Sequence, residues 1–112
     1  MTRHDDSVRL RHMLDSAREA STLVEKRTRA DLEKDRLLEL GLVRLVEILG
    51  EAAARVSGGF QSAHQGIPWP QVVAMRNRLV HGYDDVDLDV LWNTIVDDLP
   101  LLVEELERIL AK

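Results

Sequence analysis

An all-α fold is what this sequence predicts, and three observations predict it. Apolar residues recur at three- and four-residue spacing along most of the chain. No segment shows the strict alternation of a half-buried strand. The periodic runs are divided by turn-forming stretches, "SGGF" at Ser57–Phe60, "HQGIPWPQ" at His64–Gln71, and Gly82. The expected architecture is an antiparallel bundle of four to five helices in one domain spanning 1–112, packed as a homodimer.

The first helix is expected from about Asp6 to Lys26. Leu10, Met13, Leu14, Ala17, Ala20 or Ser21, and Val24 make one apolar face, and Asp5, Asp6 or Ser7 can cap its start. The second helix is expected from about Ala30 to Ser57. Leu38, Leu42, Leu45, Leu49, Ala52 and Val56 lie on one side, with Val43, Val46 and Ala53 beside them. A helix apolar over so wide an arc is buried on more than one side. Gly41, Gly50 and the run Ala52–Ala54 would let another helix approach closely, and "SGGF" ends the element.

Pro70 suits a first helical turn, so a third helix is expected from there to a stop at Gly82. Asp84 to Asp87 reads as a connection. Asp87 is placed to cap the last helix, and Asp89 suits its first turn. Leu88, Leu91, Ile95, Leu99, Leu102, Leu106 and Ile109 form its stripe, which Pro100 should kink or split.

Composition limits the function classes. The chain has 112 residues, of which 45% are apolar and 31% charged, a globular rather than a disordered profile. A chain of this size buries about 60–68% of its unfolded surface, so association with a second copy would help. No run of 18 apolar residues is present, so no membrane span is expected. "MTRHDDSVRLRH" has no apolar segment of a secretory signal. The absence of cysteine removes disulfide and thiolate chemistry and suits the cytoplasm. A net charge of −5 means that any polyanion must be met by a local basic patch.

The stretch "MRNRLVHGYDDVD", Met75–Asp87, concentrates polar chemistry. Arg76, Asn77, Arg78, His81 and Tyr83 fall within eight residues. With about 100° per residue, Val72, Met75 and Leu79 form the core-facing stripe of the third helix. Asn77 and His81 make an i,i+4 pair almost opposite it, and Arg76 and Tyr83 lie at the stripe's edge. Arg76 and His81 then point about 140° apart and stand about 7.5 Å apart along the axis. In one straight helix they do not converge. Convergence needs a helix break at Gly82, or two copies facing each other across a two-fold axis. A polar face on a surface helix is ordinarily just solvated, and a histidine near a helix C-terminus is favourable through the helix dipole alone.

The motif "RNRLVHGY", Arg76–Tyr83, has the pattern R-x4-H-x-Y and resembles the HEPN superfamily, within it the HepT-like ribonuclease toxins. The flanking block Ile67–Leu102 and "ILGEAA", Ile48–Ala53, are similar to the same family, so the resemblance covers nearly the whole chain. It implies a helical homodimer with both R-x4-H motifs lining one cleft, and a metal-independent endoribonuclease of the hydrolase class that uses no cofactor. It implies that Arg76 binds the scissile phosphate, that His81 does acid–base work and that Asn77 orients one or the other. It also implies a nucleotidyltransferase antitoxin partner (MntA-like) that attaches AMP to Tyr83, the chain's one tyrosine.

The side-chain chemistry agrees. Cleavage by RNA's own 2′-hydroxyl needs a proton acceptor, a proton donor and a group to stabilise the phosphorane. An ordinary histidine titrates near about 6.5 and can move protons at neutral pH. Arginine presents a permanently charged fork of donors to phosphate. The alternative function is a non-catalytic binding module of the same fold that docks onto the nucleotidyltransferase and regulates it. Other candidates are weaker. Asp84, Asp85, Asp87 and Asp89 lack the glycine and distal glutamate of an EF-hand loop and read as a solvated connection with a cap. His4, His12 and His64 have no spaced ligand partners, so no metal site is expected. Trp69 is expected to pack its loop and Trp92 to flank the last stripe.

Overall fold

The computed structural model describes residues 3–82 and 85–111, and the backbone alone at Arg3 and His4. Among these residues the fold is all-α, with no strand and one isolated bridge between Val80 and Val86. Helix α1 runs Arg3–Leu23, α2 Asp31–Lys34, α3 Arg36–Ala54, α4 Gly58–Ala63, α5 Trp69–Val73 and α6 Met75–Leu79. Helix α7 spans Leu88–Asn93, a π-turn Thr94–Asp98 follows, and α8 runs Leu99–Leu110. Helix α1 packs on both α3 and α8, while α3 also carries α5 and α6.

The stripes read from the sequence form the core. Leu10, Met13, Leu14, Ala17 and Ala20 of α1 are buried against Leu38, Leu42, Val46, Leu49 and Ala53 of α3 and Leu99, Leu102 and Leu106 of α8 in one hydrophobic cluster. That buried apolar surface is the main favourable term holding the elements together. Trp69 is buried as expected. Its indole N–H donates to the His64 carbonyl at 3.0 Å and its ring meets Phe60 edge-on at 6.5 Å. Trp92 is half-buried against the core.

Several boundaries differ from the sequence reading. The second helix is two helices, because Asp35 adopts an extended conformation (φ −120°) from which its side chain accepts the Leu38 amide at 3.0 Å. That amide, and then the Arg27 guanidinium at 3.1 Å, hold the Asp35 carboxyl below the ordinary aspartate range. "SGGF" does not simply end a helix. Ser57 caps α4 by accepting the Phe60 amide at 3.3 Å. The last helix is not split at Pro100. Proline donates no hydrogen bond, and the π-turn just before it shifts the pairing so that the Leu99 amide reaches the Thr94 carbonyl.

Asp6 does not cap α1, which begins at Arg3. Its carboxylate crosses to the start of α4, accepting from the Ser57 amide at 2.9 Å and from the Ser57 hydroxyl at 2.7 Å, with only 5% of the residue exposed. Charged, buried hydrogen bonds of this kind are the costly ones to break. Asp6→Ala is therefore expected to lower the unfolding free energy by about 2–3 kcal/mol, measured by urea denaturation. A change within experimental error would show that the contact contributes nothing net.

Candidate functional site

The helix carrying the motif is shorter than the sequence reading made it. Ala74 (φ −88°, ψ 0°) separates α5 from α6, and α6 ends at Leu79. Val80 is extended and bridges Val86. The His81 amide donates to the Asp85 carbonyl at 2.6 Å, and the Asp87 amide to the Leu79 carbonyl at 2.8 Å, so the chain doubles back at once. The break comes at Val80 rather than at Gly82, although Gly82 does take the left-handed φ of +104° that favours glycine. Asn77 and His81 are consequently not an i,i+4 pair on one helix. Tyr83 lies outside the described residues, and with α6 ending at Leu79 the helical-wheel position given to it no longer applies.

The placement of α5 and α6 rests on one close contact. A Cβ built on Gly50 would stand 3.1 Å from the Val73 carbonyl oxygen and 3.3 Å from that of Val72. Glycine at this position lets the backbone of α3 approach the end of α5. Glu47 and Glu51 on α3 are thereby brought beside Arg76 and Asn77. Together with Val73 and Ala54 they line an open depression of about 290 Å3.

Within it Glu47 holds Arg76, Nε to Oε2 at 3.5 Å, and the Arg76 side chain is 44% exposed. Among the described residues the guanidinium has no further partner, which leaves the terminal nitrogens for an incoming anion. Glu47 is shared with Arg44, whose Nη1 donates at 2.5 Å and lies 3.9 Å from Glu51. Sequence reasoning missed Glu47. No spacing rule connects it to Arg76, and the one signal was its place on the outward face of the second helix.

His81 does not line this depression. Its side chain is 57% exposed, with Nε2 at 3.9 Å from Asp87 Oδ2. Asp87 uses its other oxygen to cap α7, accepting the Val90 amide at 3.1 Å, as the sequence suggested. The remaining acidic residues of that connection also have structural partners. Asp89 accepts from Arg29 at 2.7 Å, a contact that raises the Arg29 pKa. Among the described residues no group of three or more His, Asp or Glu side chains is placed to hold a metal ion. No helix among them is long and apolar enough to cross a membrane. One copy thus brings Arg76 and Asn77 together and leaves His81 outside the depression they line.

The comparison with known proteins is decisive at the family level. Residues 13–109 match the family model described as "Ribonuclease HepT-like". The chain belongs to the HepT-like ribonuclease family. Within it, this HepT-like chain is 35% identical over 100 residues to a Thermococcus cleftensis protein named "Probable ribonuclease HepT", covering 86% of this chain and 91% of that one. It is also 35% identical over 82 residues to "Putative RNase TTE0752" of Caldanaerobacter subterraneus subsp. tengcongensis, covering 73% of each. No solved structure matches. Family and relatives support an RNase function for this HepT-like protein.

Proposed function

We propose that the chain is a metal-independent endoribonuclease toxin acting as a homodimer, with Arg76, Asn77 and His81 as its catalytic residues. A nucleotidyltransferase antitoxin silences it by adding AMP to Tyr83. The observation that carries the reading is the exposed Arg76, anchored through Nε by Glu47 beside Asn77, with its terminal nitrogens turned to an open depression. A guanidinium held by its stem and free at its fork suits a phosphate.

One imidazole takes the proton of the 2′-hydroxyl, and that oxygen attacks the adjacent phosphorus. The bond from phosphorus to the 5′ oxygen breaks, leaving a 2′,3′-cyclic phosphate. The departing 5′ oxygen receives a proton from the imidazolium of the second copy. Arg76 offsets the charge that builds on the phosphorane, and Asn77 orients the phosphate. A single copy holds one histidine in the motif, so two copies facing one cleft supply acid and base together.

The test is direct. The purified chain is incubated with a mixed-sequence single-stranded RNA with and without EDTA, and the ends are examined. Cleavage in both, with cyclic phosphate termini, is expected. Cleavage abolished by EDTA would overturn metal independence. A chain that cleaves no RNA under either condition would favour the non-catalytic binding module.

A further inference from the structure

The outward face of α3 has no cover in the fold. Leu37, Leu40, Arg44, Glu47, Glu51 and Ala54 follow one another at alternating three- and four-residue intervals, the spacing that keeps side chains in one straight seam. Two leucines begin that seam, 81% and 46% exposed. Gly41 beside them has open space where a Cβ would stand. Val73, 40% exposed, continues the apolar edge onto α5.

We infer that this face is the two-fold seam between two copies of the chain, with the α3 helices antiparallel and the axis passing between Arg44 and Glu47. The inference rests on the two-copy reading of the site and says where the copies meet. Charge selects the arrangement. A parallel pair would set Arg44 on Arg44 and Glu47 on Glu47. The antiparallel pair sets Arg44 on the partner's Glu47, Leu37 on the partner's Ala54, and Leu40 over the stem of the partner's Glu51. A charged pair at the middle of a seam with apolar ends fixes its register.

The same axis passes beside Arg76, because Glu47 already touches it. The two copies of Arg76 therefore meet at one cleft, and each Glu47–Arg76 pair is completed by the partner's Arg44. Shared by a second guanidinium, Glu47 is fixed under Arg76 and acts as a positioning residue for it.

Charge reversal tests the seam by oligomeric state alone, without reference to activity. Analytical ultracentrifugation is run on the full chain, with circular dichroism to confirm the fold. Arg44→Glu gathers carboxylates at the axis and Glu47→Arg gathers guanidiniums, so each is expected to weaken the dimer by about 100-fold or more. The double reversal Arg44→Glu/Glu47→Arg restores complementarity and should return the dissociation constant to within about tenfold of the parent. Leu37→Asp, at a side chain that contributes little to the monomer's core, should weaken association as well and decides the matter if a charge variant misfolds. Single variants that stay dimeric, or a double variant as weak as the singles, would overturn this seam. A parent chain monomeric at micromolar concentration would overturn the two-copy reading itself.

Discussion

His81→Ala is expected to reduce RNA cleavage by about 100- to 10,000-fold, the range that a positioned proton-transfer group supplies. Its unfolding free energy should stay within about 0.5 kcal/mol of the parent, as for other surface substitutions. The side chain is more than half exposed, and its nearest charged group, Asp87, is 3.9 Å away. The turn around it is held by backbone bonds, from the His81 amide to Asp85 and from the Asp87 amide to Leu79, which the substitution leaves in place. Arg76→Ala should lower cleavage by about 100- to 1,000-fold, the effect of removing one charge-stabilising donor. Losing its exposed contact to Glu47 should cost about 0–1 kcal/mol of stability. Arg76→Lys keeps the charge but not the fork and should recover only part of the rate. Initial rates and urea melts on the same preparations decide the matter. Full cleavage by His81→Ala would remove the histidine from the mechanism.

Periodicity made the buried faces legible. The stripe Leu91, Ile95, Leu99, Leu102, Leu106 is buried as spaced, because a half-exposed helix must turn one face to the core. Asp87 was legible as a cap for the same local reason. The helix breaks were not legible. Asp35, Ala74 and Val80 are neither glycine nor proline, and alanine is the best of helix formers. Asp35 leaves the helix to cap the next one, and Val80 leaves it to pair with Val86. At Ala74 the chain breaks just past the carbonyls of Val72 and Val73, which sit over Gly50. These are contacts between distant parts of the chain, and local propensity cannot register them. The site divides in the same way. Arg76, Asn77 and His81 could be found as a motif, since residue type and spacing carry that signal. Glu47 could not, since it reaches Arg76 only through the packing of α3 on α5 and α6.

Control through Tyr83 should be all-or-none in the mass spectrum. Tyr83 is two residues from His81, which places its backbone within about 7 Å of it along the chain however the turn is built. An AMP joined to the phenol through a phosphodiester adds a negative charge and a nucleoside next to the histidine. That charge can pair with the exposed Arg76 fork, the same group offered to the substrate phosphate. Modification is thus expected to inhibit by occupying the cleft and satisfying its cation, without unfolding the chain. Tyr83→Phe keeps the ring and removes the oxygen that accepts AMP. It should fold, cleave RNA at a substantial fraction of the parent rate, and escape neutralisation when co-expressed with a nucleotidyltransferase partner. Intact mass spectrometry after co-expression reads the outcome, and because the chain has a single tyrosine the assignment is unambiguous. The parent chain should gain one or more AMP units and Tyr83→Phe none. A mutant that gains the same mass places the modification on another residue. A parent chain neutralised with no gain in mass means the partner works by binding alone, and the role given to Tyr83 is then wrong.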